Sequence, residues 1–254
     1  MNKTKGNVLI TGASAGAGRA IAVKFASKGF NIIAVARRKD KLDSLKNELQ
    51  SGYGSDVTIL PTDLENEKAV YELYDKAKEI GIDVLVNNAG LGEWNLAWET
   101  SSERLDAMIN LNIKALSILS TCFVKDNVSR KSTLINIASL AGYSLFSTAI
   151  PYSATKFFVT SFTEGLTHDL KLANSPFQAK LMAPGPIDTE FTKISLEQSK
   201  LGDIDTSNVQ FHTPEQIAAF TYQLYESDKP VGMVDMASMG FVLTDTIHPS
   251  ASIK

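Results

Sequence analysis

Short apolar, β-branched runs alternate with longer amphipathic stretches from the N-terminus to about residue 185. The runs at 7–11, 31–36, 57–62, 83–88, 133–139 and 178–183 lack strict alternation of polar and apolar positions. That pattern suits parallel strands covered on both faces. Between them the apolar period lengthens. Ala69, Val70, Leu73, Tyr74, Ala77 and Ile80, for example, recur at spacings of three and four, as one helical stripe does. Strand–helix alternation predicts an α/β fold, a doubly wound parallel sheet with right-handed crossovers. No internal repeat, low-complexity tract or Pro/Gly/Ser-rich linker interrupts it, so residues 1–254 read as one domain. The least periodic stretch is 193–210, and a mobile flap or short helical excursion around 190–212 is expected there.

Composition narrows the function. At 44% apolar and 21% charged residues, the chain can bury a sizeable core. A net charge of -3 and a pI near 5.7 supply no general attraction to nucleic acid or to an anionic membrane. The apolar run at 8–10 is far too short for a signal peptide or a membrane span, and a cytoplasmic location is expected. Cys122 is the only cysteine, which excludes an intrachain disulfide and fits a reducing compartment. It reads as a small core residue. His168, His212 and His248 lack ligand spacing, so no metal site is expected.

Chemistry enters at the first strand's end. Thr11-Gly12-Ala13-Ser14-Ala15-Gly16-Ala17-Gly18 precedes a helical pattern over 19–28. Small residues let backbone N–H groups approach a pyrophosphate, and a helix N-terminus favours the anion. The spacing is G-x-x-x-G-x-G, not the commoner G-x-G-x-x-G. The second strand ends in Val35-Ala36-Arg37-Arg38, where an acid would hold the free 2′-hydroxyl of NAD. Two guanidiniums suit a 2′-phosphate instead, which favours NADP(H). The alternative, solvated charge at a helix start, opposes the helix dipole. Further on, Tyr152 and Lys156 follow Pro151 at i and i+4, on one helix face. An ammonium near a phenol favours phenolate, giving a tunable general acid–base.

Together these features resemble the short-chain dehydrogenase/reductase family, from Val8 to about Thr189. The Gly-rich motif is matched by Gly12, Ser14, Gly16, Ala17 and Gly18. The adenine-side acid is matched by Asp63, and the N-N-A-G motif by Asn87, Asn88, Ala89 and Gly90. Asn112, Ser139, Tyr152 and Lys156 match the catalytic positions. The P-G motif is Pro184-Gly185-Pro186-Ile187-Asp188-Thr189. Spacings of 27 positions from Asn112 to Ser139 and 13 from Ser139 to Tyr152 agree with the family.

The resemblance implies a Rossmann-type sheet of about seven strands and hydride transfer between NADP(H) and a small carbonyl or alcohol substrate. By it, Tyr152 exchanges a proton with the substrate oxygen and Ser139 holds that oxygen. Lys156 lowers the Tyr152 pKa and binds the nicotinamide ribose. Asn112 positions a water that links Lys156 to solvent, and Ile187 and Thr189 hold the carboxamide. A homodimer or homotetramer through the helices containing Asn112 and Tyr152 is the family expectation.

One departure is the missing Gly-Gly after the last strand, replaced by Val231-Gly232-Met233-Val234-Asp235-Met236-Ala237-Ser238-Met239-Gly240-Phe241. The tail from His248 to Lys254 is expected to fray. Substrate-facing segments at 91–98, 140–146 and 191–196 supply Trp94, Trp98, Tyr143, Leu145, Phe146, Phe191 and Ile194. That lining favours a bulky, uncharged ketone or aldehyde. Two alternatives stand beside this reading. A sugar-nucleotide epimerase would need a substrate domain beyond Thr189, and a non-catalytic NADP(H)-binding redox sensor would have no need of the Ser–Tyr–Lys–Asn group.

Overall fold

A computed structural model of the chain describes residues 4–197, 199–201 and 205–250. Its centre is an eight-stranded sheet in the order β3-β2-β1-β4-β5-β6-β7-β8. The strands are β1 (Asn7–Thr11), β2 (Asn31–Ala36), β3 (Val57–Pro61), β4 (Val84–Asn87), β5 (Thr133–Ile137), β6 (Gln178–Ala183), β7 (Val231–Asp235) and β8 (Gly240–Thr244). The first seven are parallel and β8 is antiparallel. The expected strands are present, each within two residues of its expected ends. The eighth comes from the segment that departs from the family pattern, as a β7–β8 hairpin with Asp235 opposite Gly240.

Helices cover both faces: α1 (Gly16–Ser27), α2 (Lys39–Tyr53) and α8 (Pro214–Glu226) on one, α3 (Glu67–Ile80), α5 (Leu116–Asn127) and α6 (Ile150–Leu172) on the other. Alternation along β1 divides the core. Val8 and Ile10 pack with Phe25, Leu42 and Ile217, while Leu9 packs with Leu73, Phe123 and Leu134. On α3, Asn66 caps the start by accepting from the Ala69 N–H at 3.1 Å, and Gly81 ends it at φ +87°. Val70, Leu73, Tyr74 and Ala77 of its stripe are buried, whereas Ile80, in the last turn, is exposed.

Before α5 comes α4 (Ser102–Met108) and then a π-helical segment, Ile109–Ala115. The continuous run Ser102–Asn127 is long and apolar enough to cross a membrane by length and composition alone. Here its α5 part packs on β4 and β5, and core helices share that composition. The expected helical excursion is α7 (Glu190–Glu197). Gln198, Gly202, Asp203 and Ile204 of the expected flap lie outside the described residues, as do Ala251, Ser252, Ile253 and Lys254 of the tail. At the start of the expected tail the chain is held: the His248 amide, like that of Ile247 before it, is bonded to Glu164.

Candidate active site

The strand order reverses between β1 and β4, and open α/β sheets bind ligands in the crevice outside their carboxyl ends at such a point. Thr11 ties the two strands together there. Its Oγ1 accepts from the Asn88 and Ala89 N–H groups at 2.9 and 3.0 Å, and its carbonyl accepts from Asn88 Nδ2 at 3.0 Å. The Gly-rich turn closes tightly over this junction. Gly12 sits at φ +70°, and a Cβ on Gly18 would overlap the Gly12 carbonyl oxygen and the Asn88 amide. Gly16 lies against the Thr189 methyl, which brings the segment after β6 onto the turn. Ala15, the N-cap of α1, supplies no side-chain cap and no acid occupies the first turn. The first N–H groups of α1 are therefore left without a cap from Ala15, a fit for a pyrophosphate.

The two arginines separate. Arg38 donates from Nη2 to Ser14 Oγ at 3.2 Å and from Nη1 to Glu190 at 2.9 Å, beside the turn. Arg37 turns away to Glu65 at 2.8 Å, next to the exposed Asp63. The donor set at Ser14 and Arg38 suits a phosphate monoester. Ala17 packs against the core beneath the turn.

Past β4, Gly90 runs close to Lys156 Nζ and Asn112 Oδ1, since a Cβ there would lie 3.7 and 3.3 Å from them. Asn112, buried in the π-helical segment, clasps the Leu91 main chain: Oδ1 accepts from its N–H and Nδ2 donates to its carbonyl, both at 2.8 Å. The same Nδ2 donates to Thr155 Oγ1 at 3.0 Å, and Thr155 donates to the Tyr152 carbonyl at 2.8 Å. Thr155 was not among the expected site residues. The available signal was a polar residue on the inward face of α6.

Ser139 is extended beyond β5, and its Oγ accepts from the Ala141 N–H at 3.1 Å. Lys156 is buried, donates to the Ile137 carbonyl at 3.0 Å, and lies 5.7 Å from the Tyr152 ring centre. Burial lowers its pKa to about 8. Burial also pushes the Tyr152 phenol up to about 12, with a Ser139 hydrogen bond pulling the other way. Of these two influences on the phenol, burial is the larger and the Ser139 hydrogen bond the smaller.

After β6, the Pro184 carbonyl accepts from the Leu140 N–H at 3.0 Å, and Gly185 passes under Met236 of the β7–β8 turn. Ile187 bridges to His212, and its carbonyl accepts from Thr192 Oγ1 at 2.6 Å. The three segments expected to face substrate converge. Phe191 lies 6.0 Å from Tyr152 and covers Gly92, while Trp94 meets Phe146 edge-on at 6.5 Å. Trp98 and Leu145, by contrast, are strongly exposed.

Comparison with known proteins agrees with this arrangement. Residues 6–200 match the short chain dehydrogenase family model. "Dehydrogenase/reductase SDR family member 11" of Gallus gallus is 33% identical over 247 residues, covering 94% of this chain and 90% of the relative. A short-chain dehydrogenase from Sphingobium yanoikuyae, solved in complex with NADPH, superposes with a TM-score of 0.79 at 26% identity, covering 89% of this chain and 86% of the other. A short chain dehydrogenase/reductase from Burkholderia phymatum, solved with NAD, shares the fold at 24% identity with a TM-score of 0.76, covering 88% and 86%. The chain belongs to the short-chain dehydrogenase/reductase family and is a nicotinamide-dependent oxidoreductase acting on CH–OH or C=O groups.

Proposed function

We propose that the protein reduces a bulky, uncharged ketone or aldehyde with NADPH, using Ser139, Tyr152, Lys156 and Asn112. The observation that carries the reading is the convergence of Tyr152, buried Lys156 and Ser139 below the aromatic segments, with Arg38 and Ser14 paired beside the Gly-rich turn. Bound NADPH supplies the hydride. Ser139 donates a hydrogen bond to the substrate oxygen, and that bond strengthens as negative charge develops. Tyr152 gives its phenolic proton to the same oxygen. Burial keeps that proton in place at neutral pH. Lys156, still largely an ammonium at pH 7, holds the nicotinamide ribose, and Asn112 fixes the loop after β4 through Leu91. The NAD-bound neighbour makes the coenzyme choice a point to measure.

The apolar lining supports an uncharged substrate. Leu105, Ile109 and Phe158, exposed on the helical run around Asn112 and on α6, support a homodimer or homotetramer. The single cysteine and mild negative charge support a cytoplasmic location.

The test is oxidation of NADPH and NADH with bulky ketones, aldehydes, quinones, keto esters and short keto acids. Wild type is expected to prefer NADPH with a bulky neutral carbonyl. Tyr152→Phe should lose about 10²–10⁴ in kcat while its NADPH affinity holds. A best substrate that is a short keto acid would sink the substrate class. Tight NADPH binding without turnover would favour the redox sensor.

A further inference from the structure

Beyond β8 the chain forms no further strand or helix among the described residues, yet it is fastened to the interior. The Ile247 and His248 N–H groups donate to Glu164 Oε2 at 2.6 and 2.8 Å. Glu164, on α6 three turns past Tyr152, is only 1% exposed. Its Oε1 accepts from the Tyr143 phenol at 2.5 Å. One buried carboxylate thus takes three donors from two segments more than a hundred positions apart in the chain.

Tyr143 belongs to the loop that connects Ser139 to Tyr152. That loop is laid onto α6 by Thr160, which donates to the Gly142 carbonyl at 3.0 Å, and a Cβ on Gly142 would overlap the Lys156 carbonyl oxygen and the Thr160 methyl. The His248 ring stacks on Tyr143 at 5.4 Å and 29°, with Nε2 3.1 Å from Thr160 Oγ1. Tail and loop therefore share Glu164, Thr160 and a ring-on-ring contact.

We propose that the C-terminal segment is a specificity element of the active site: Ile247 and His248, through Glu164 and Tyr143, position the 140–146 loop against the substrate. This rests on the reductase reading above. A buried carboxylate is tolerated only while its oxygens are hydrogen-bonded, and losing one donor raises the cost of keeping the others in place. The two segments are coupled for that reason. Release of the tail frees Tyr143, and release of Tyr143 frees the tail. None of these groups touches the reacting atoms, so Glu164, Tyr143 and His248 are positioning residues.

The test uses His248→Ala and Tyr143→Phe, both in the full chain and read by kinetics and by amide hydrogen exchange. The first keeps the main-chain donor to Glu164 but removes the ring stacked on Tyr143 and its contact with Thr160, and the second removes a donor to Glu164. His248→Ala should raise KM for the carbonyl about tenfold, with kcat and NADPH affinity within about twofold. It should also speed exchange of the 140–147 amides about threefold or more. Tyr143→Phe keeps the ring and removes only the phenol donor, and it should speed exchange at 246–249. Either of two outcomes overturns the proposal. In one, His248→Ala lowers only the melting temperature and leaves KM and loop exchange as in wild type. In the other, Tyr143→Phe changes KM without changing tail exchange, which makes Tyr143 a direct substrate contact. If wild type turns over no carbonyl, the reductase reading fails, and the exchange experiments still decide whether tail and loop are coupled.

Discussion

Arg37 and Arg38 are equivalent candidates in the sequence, adjacent and identical, and the fold tells them apart. Arg38 meets Ser14 and Glu190 beside the Gly-rich turn, and Arg37 pairs with Glu65 on the far side of β2's end. Successive side chains leave an extended backbone in opposite directions, so only one can face the turn. Arg38→Ala is therefore expected to raise KM for NADPH about 10- to 100-fold, the weight of a charge-assisted hydrogen bond, with NADH changed less than about twofold. Arg37→Ala should move neither constant by more than about threefold. Initial rates with both coenzymes check this, and equal effects of the two substitutions would contradict it. Tyr152 gives the same lesson. Its partnership with Lys156 is legible from an i, i+4 spacing, but the direction of its pKa shift depends on burial, which spacing does not encode.

At the scale of elements, the Gly-rich turn, β1 and the start of α1 act as one unit. Gly18 is required because α1 begins against the Gly12 carbonyl and the Asn88 amide, with no room for a Cβ. Gly18→Val should destabilise the protein by about 1–3 kcal/mol and weaken NADPH binding together, since relieving the overlap moves the N–H groups of α1. Urea unfolding and a binding titration would show both losses, and wild-type affinity in a folded variant would count against the tight-cradle account. The parallel strands were legible because continuous apolar runs are what a sheet covered on both faces demands. The π-helical segment holding Asn112 was not. One extra residue in a helical turn barely disturbs an apolar stripe, yet it aims Asn112 at Leu91. The antiparallel β8 was also missed, because a short strand after a Met-rich turn looks like any other edge segment.

For the whole molecule, long-range polar links join the layers that apolar packing has already brought together. Lys180, buried in β6, donates to the carbonyls of Leu224 and Tyr225 at 2.9 and 3.2 Å and to that of Ser227, closing the end of α8. Lys180→Met should cost about 1–3 kcal/mol at pH 7 by leaving those carbonyls without a donor. Burial lowers the Lys180 pKa to about 8 from 10.5. The unfolded chain then holds more protons between those values, so this residue makes stability rise with pH across about 8 to 10.5. Lys156, lowered likewise by burial, adds to the same slope, so thermal melts should show the rise in wild type and a weaker one in Lys180→Met; parallel pH profiles would argue against it. By itself the sequence determined the alternating architecture, the Gly-rich turn and the presence of Asn112, Ser139, Tyr152 and Lys156, because periodicity and close-range spacing are local properties. Tertiary structure alone decided which arginine faces the turn, how burial sets the Tyr152 and Lys156 pKa values, and that the tail meets the 140–146 loop on Glu164. Burial and contacts between distant segments exist only once the sheet has brought them together.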